Sequence, residues 1–247
     1  MPNLKKPNKK KFKLIIMFNL FKPKKKEINL IYPEIGVSVR INKIFEDYIL
    51  PNIEHLGFKL LKSELKLVRN VGDFKQTIYI QKSRRNSADV CIKFNLIFTV
   101  EYVKYKKWFE NKYNETLTND FRNNNSTLWG THDDIPNWGE SLNSVGWYNL
   151  LTRDNYEIVK EINDKLVKIA IPYMDKFSNL ESAIENNMKG QKFTKTAMML
   201  DFCEIIGNRK TANEIIDWYK LKVINAKIIL NEEVTLEIEK RIKNIKD

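Results

Sequence analysis

An α+β fold is what this sequence predicts: an antiparallel β-meander packed against helices, followed by a C-terminal all-helical unit. Three observations carry that reading. Val90, Ile92, Phe94, Leu96, Phe98, Val100 and Tyr102 fall on every second position, interleaved with Cys91, Lys93, Asn95, Ile97, Thr99 and Glu101. That is the pattern of a strand with one face on a core and the other toward water. Two further strand-like runs, at residues 65–71 and 74–81, precede it across a Val71-Gly72-Asp73 turn. From Asp154 onward the apolar residues recur at helical spacing.

Taken in order, the chain divides into a basic tail at 1–27, an α+β domain at 28–190 and a helical unit at 191–247. Ten lysines and no acid occupy the first 26 residues, and removing them from the net charge of +12 leaves only +2 on the other 221. The run Leu14-Ile15-Ile16-Met17-Phe18-Asn19-Leu20-Phe21 within the tail is shorter than the roughly 20 apolar residues a spanning helix needs. Lys22-Pro23-Lys24-Lys25-Lys26 stands where a secretory cleavage site would have small residues. The tail therefore reads as a disordered leader, as the product of a start set earlier than Met17, or as an interfacial anchor for an anionic surface. Cys91 and Cys203 read as free thiols in a reducing cytoplasm. The anchor reading adds a peripheral position at the inner membrane surface.

Ile41, Ile44, Phe45, Tyr48, Ile49, Ile53 and Leu56 form a helical stripe that Ser38 or Asn42 caps, that Pro51 kinks and that Gly57 ends in the left-handed region. His55 lies near that end in a structural role. After the meander, residues 103–113 read as a short helix and 114–127 as an asparagine-rich surface loop. Asp154 caps a long helix with the stripe Val159, Ile162, Leu166, Ile169, Ala170 and Tyr173, and Pro172 disturbs its last turn. Ser178-Asn179-Leu180-Glu181 and Thr211-Ala212-Asn213-Glu214 read as capping boxes, the second opening a helix over 215–230. A last helix sets Val234, Ile238, Ile242 and Ile245 on one side. Helices over 194–206 and 215–230 form an αα-hairpin with a large apolar face.

Leu56-Gly57-Phe58-Lys59, Ile80-Gln81-Lys82-Ser83, Phe94-Asn95-Leu96, Trp147 with the helix after it, and Ile171-Pro172-Tyr173-Met174-Asp175-Lys176-Phe177-Ser178 resemble the bacterial domain-of-unknown-function family 4304. The resemblance covers about residues 40–188. It implies an α+β fold and no established reaction. The chain has Trp129-Gly130-Thr131-His132 where that family's pattern leads one to expect a strand with paired arginines, so any role of those arginines is in doubt here.

Candidate binding residues fall in two places. Gln81, Lys82, Ser83, Arg84, Arg85 and Asn86 cluster donors suited to a phosphate or carboxylate, against the plainer reading of a solvated turn. Trp129, His132 and Trp138 suit a binding rim, against the plainer reading of aromatics stapling a loop to its own domain. His132-Asp133-Asp134 lacks a further ligand and predicts no metal site. Neither cysteine has a base, and no Gly-rich phosphate loop, HExxH or GxSxG occurs, so no catalytic residue and no cofactor is expected. The function expected is a non-enzymatic binding or regulatory protein, of accessory or immunity type, engaging a protein partner on the apolar hairpin. The alternative is nucleic-acid association through the lysine tail and the 81–86 loop, with hydrolytic activity left open. Oligomeric state and partner identity have no signal in the sequence.

Overall fold

The computed structural model describes residues 35–87, 90–117, 126–138, 147–150 and 155–246. The basic tail with its apolar run, and the expected cap at Asp154, lie outside those residues. The architecture is α+β: one antiparallel sheet with helices packed on its inner face and three helices closing the chain.

Five strands lie in sequence order: β1 (Lys59–Leu61), β2 (Lys66–Val71), β3 (Phe74–Lys82), β4 (Lys93–Tyr102) and β5 (Ser126–Thr131). The two-residue β6 (Tyr148–Asn149) pairs with the start of β4, and β5 pairs with its later part. Phe94, Leu96, Phe98 and Val100 point inward and are fully buried. In β3 the inward set is Phe74, Gln76, Ile78 and Ile80, opposite Tyr102, Val100, Phe98 and Leu96.

The alternation overreaches at its start. Val90 is 75% exposed in a turn, and the strand begins at Lys93. The side-chain amide of Asn86 holds both the N–H and the C=O of Lys93 at 2.7 Å, and Ser87 bridges to Cys91, so the chain between them folds into a tight turn. Nor does the second face of β4 simply meet water. Val68, Thr77, Thr99 and Trp129 form one row across four strands, and the two small threonines between the larger side chains are buried.

Helix α1 runs Val37–Ile44, widens into a π turn at Phe45–Ile49 and resumes as Leu50–Ile53. Helix α3 repeats the device, with Asn155–Lys165, a π turn at Leu166–Ala170 and Ile171–Asp175. Each π turn immediately precedes the proline-bearing segment, at Pro51 and at Pro172. A proline inside an α-helix lacks a donor and clashes with the carbonyl four residues earlier; one wider turn shifts that carbonyl aside, so both helices pass through. The Tyr48 carbonyl in the first π turn accepts instead from the side-chain amides of Asn52 and Asn163, each at 2.9 Å, which ties α1 to α3.

Gly57 stands at φ +91 and ends the first helix as the sequence predicts. The caps differ from expectation. Ser38 accepts from Lys82 Nζ, Asn42 donates to the Lys62 carbonyl, and Gly36 occupies the N-cap. Asn179, not Ser178, caps α4 (Leu180–Lys189), because Ser178 Oγ is taken up by Gln76 Nε2 at 2.8 Å. Asn208, not Thr211, caps α6 (Arg209–Tyr219), one turn earlier than the expected box. That helix continues as a π turn, Lys220–Ile224, and stops short of Leu230.

Helix α2 (Tyr105–Tyr113) follows β4. The expected loop over 114–127 ends instead in β5, where Ser126 and Thr127 are buried. Thr127 sits at a bulge and donates its hydroxyl to the carbonyls of Val100 and Phe177, at 3.0 and 2.9 Å, while its own carbonyl accepts from Asn187. Helix α5 (Thr196–Ile205) and α6 place Met199, Phe202, Cys203, Ile215 and Ile216 in the same core as β4. The hairpin's apolar face is thus covered by the chain's own sheet domain. Helix α7 (Glu232–Lys246) closes the chain through a small cluster of Tyr219, Val223 and Ile238.

Phe98→Ala removes a ring that the β4 core cannot replace and lowers stability by about 3–5 kcal/mol. Val90→Ala changes it by no more than about 0.5 kcal/mol. Urea unfolding of both variants checks the strand's true start.

Candidate functional site

Tyr105, Phe109 and Tyr113 recur at four-residue spacing and so line one face of α2. Facing them, α5 presents Asp201 and α7 presents Glu237 and Arg241, one turn apart. Asp201 is buried to 1% exposure. Its carboxylate accepts from the Tyr105 hydroxyl at 2.7 Å and from the Tyr113 hydroxyl at 2.6 Å, and lies 3.5 Å from Arg241 Nε. The buried Arg241 guanidinium lies over the adjoining rings of Phe109 and Tyr113, at 5.3 and 4.5 Å, and pairs with Glu237.

Burial pushes the Asp201 carboxyl above its ordinary range, while Arg241 and the two phenols pull it back. Tyr105 is raised well above an ordinary phenol, first by burial and then by the neighbouring Asp201 charge, and Tyr113 is raised for the same reasons. Burial opposes the charge of Arg241, but Asp201 and Glu237 more than compensate. Both phenols therefore act as proton donors to a carboxylate and not as bases at neutral pH.

Beside this network lies a cavity of about 390 Å³. Tyr105, Phe109, Leu117, Met198 and Val234 supply its apolar wall. Glu115, Glu233 and Glu237 supply carboxylates, with Glu115 paired to Lys240. The volume lies within the roughly 300–1,000 Å³ typical of ligand clefts. The arrangement suits recognition: Glu237 and Glu115 are paired with Arg241 and Lys240, and no ion pair joins the lining carboxylate of Glu233 to a described residue.

The residues singled out from sequence lie elsewhere. Gln81, Lys82, Arg84 and Arg85 are exposed at the end of the β3–β4 hairpin, while Ser83 and Asn86 are half-buried and bonded within it. Lys82 reaches Ser38, and no ion pair joins Arg84 or Arg85 to a described residue. Trp129 is half-buried on the Thr99 face of the sheet, whereas Trp138 is 2% exposed and packs on Phe98, on the other face, beneath Lys165. The two tryptophans do not form one rim, and Trp138 is a staple of the core. His132 opens the turn His132–Asp134, and its side chain lies outside the described residues. Asp134 folds back to accept from Thr131 N, so close to Gly130 that an added Cβ would come within 2.6 Å of it. Among the described residues no group of three or more His, Cys, Asp or Glu converges on a metal position.

The cleft residues went unmarked in the sequence, although one signal was present: Asp201 is the single acid in Met198-Met199-Leu200-Asp201-Phe202-Cys203, an apolar run that buries it. Comparison of the chain with protein-family models, with curated proteins and with solved structures found no match.

The buried phenols lower the stability of the fold at alkaline pH, beside the Cys203 thiol, which burial pushes up to about 12. Above pH 10.0 an unfolded chain ionises Tyr105 and Tyr113 while the folded chain keeps both protons, so stability falls as pH rises. The slope is about 1.4 kcal/mol per pH unit for Tyr105 and less for the half-exposed Tyr113. Lys195 acts in the opposite sense at lower pH. Burial and Lys192 pull its amine down to about 8, so its own contribution rises with pH between 8 and 10.5, opposed above 9.0 by the buried Cys203 thiol. Urea midpoints measured from pH 10.5 to about 11.5 fall more gently in Tyr105→Phe than in the parent chain.

Proposed function

We propose that the protein is a non-enzymatic binding protein, regulatory and of accessory or immunity type, that takes a protein partner into the cleft between α2 and α7. The observation that carries this reading is the cleft itself, with an aromatic and aliphatic wall, paired charges at Asp201, Arg241, Glu237 and Glu115, and the Glu233 carboxylate beside them. A projecting basic or aromatic side chain of a partner gains apolar contact there and meets Glu233 at the edge. A phosphate backbone meets like charge. The hairpin face first expected to dock the partner is occupied by the chain's own core, which moves the contact to the cleft. Kinship with family 4304 and a cytoplasmic location belong to the same proposal, and neither brings a reaction with it. Among the described residues no helix is long and apolar enough to cross a membrane. Nucleic-acid association is the second reading, favoured by the exposed Arg84 and Arg85 at the β3–β4 tip.

Capture from the native host with nuclease present, at about 200 mM salt, separates the two. Phosphate contacts through ten lysines lose about 10³-fold or more in affinity by that salt concentration. The parent chain and a variant carrying both Arg84→Ala and Arg85→Ala retain the partner, and Glu233→Arg loses it. Capture that disappears with nuclease, or that Glu233→Arg leaves unaltered, rejects the cleft as the site.

A further inference from the structure

We propose that the segment joining α6 to α7, residues 220–230, is a docking surface for an anionic lipid bilayer. The segment reads Lys220-Leu221-Lys222-Val223-Ile224-Asn225-Ala226-Lys227-Ile228-Ile229-Leu230. Only Val223 turns fully inward, onto Tyr219 and Ile238. Leu221, Ile224, Ile228 and Ile229 are exposed at 60%, 57%, 40% and 95%. Exposed aliphatics are common singly, but four within nine residues form a patch.

The backbone holds them outward. The π turn Lys220–Ile224 is followed by a turn in which Lys227 stands at φ +53, and the N–H of Ile228 donates to the Val223 carbonyl at 2.9 Å. Ile228 and Ile229 therefore project from a hydrogen-bonded turn.

Charge selects the partner. Lys220, Lys222 and Lys227 alternate with the aliphatics, and no acid occurs between Asp217 and Glu232. Lys220 lies 4.0 Å from Asp217, and no ion pair joins Lys222 or Lys227 to a described residue. A protein interface concentrates aliphatics in a core depleted of lysine, and nucleic acid offers little to isoleucine. A bilayer interface accepts both: aliphatic side chains enter the acyl boundary while lysine stems lie along it and carry their ammonium groups to anionic headgroups.

The test uses the full chain and co-sedimentation with vesicles of phosphatidylcholine alone or with about 30% phosphatidylserine. Binding to the serine-lipid vesicles is expected, with little to the neutral ones. Ile229→Asp, and separately the pair Lys222→Glu and Lys227→Glu, reduce it about tenfold or more. All three positions are exposed, and circular dichroism confirms that the variants fold. Undiminished binding by these variants assigns lipid affinity to the basic tail and overturns the proposal. So does equal binding to neutral vesicles, or no vesicle binding together with an Ile229-dependent protein partner.

Discussion

Phe94, Leu96, Phe98 and Val100 have lost all contact with water, and the helices lie where they do because these side chains must be sheltered. Burying each contributes about 1.5–3 kcal/mol, which no single helix recovers alone. Cover comes from both ends of the chain. Phe45 of α1 meets Phe94 at 5.5 Å, Trp138 meets Phe98 at 5.6 Å, and Phe202 of α5 meets Tyr102 at 6.0 Å. One core cluster therefore runs from Ile41 to Ile216 across the boundary expected near residue 190. The helical unit completes the sheet's shelter.

Apolar burial has no direction, so the register of helix on sheet needs polar fixings. Three are visible. Arg69 and Gln76 on the sheet's inner face bind the Asp175 carboxylate at 2.5 and 2.8 Å, and Gln76 also holds Ser178, which fixes the end of α3. Thr127 takes the Phe177 carbonyl and gives its own to Asn187, fixing α4. Asp201, gripped by two phenols from α2, fixes α5, and Arg241 adds α7. The candidate cleft grows out of the third of these fixings, and its floor is rigid for the same reason.

What was legible in the sequence follows from how far each signal reaches. Period-two alternation reports the face of a strand, so the inward sets of β3 and β4 could be read residue by residue. It does not report where a side-chain amide such as Asn86 closes a turn, and Val90 was drawn into the strand for that reason. Ser126–Thr131 is a strand because β4 offers it a free backbone edge, a cause absent from its own composition. The cleft was least legible: Tyr105 and Asp201 stand 96 positions apart and meet only once the sheet has brought α2 and α5 together. The Ile224 to Leu230 stretch keeps an apolar spacing that looks helical, but Ile224, Ile228 and Ile229 face water, and periodicity alone cannot tell a core stripe from an exposed one.

The charge map of the folded part narrows what such a molecule can hold at once. The segment joining α6 to α7 carries three lysines and no acid, whereas the cleft beside it is lined by Glu233 and by Glu115 and Glu237, the last two paired with Lys240 and Arg241. A polyanion that covered both would gain at the lysines and meet repulsion at Glu233. Val223 of the segment and Ile238 of α7 share one small cluster with Tyr219, so the segment is tied to the α7 wall of the cleft.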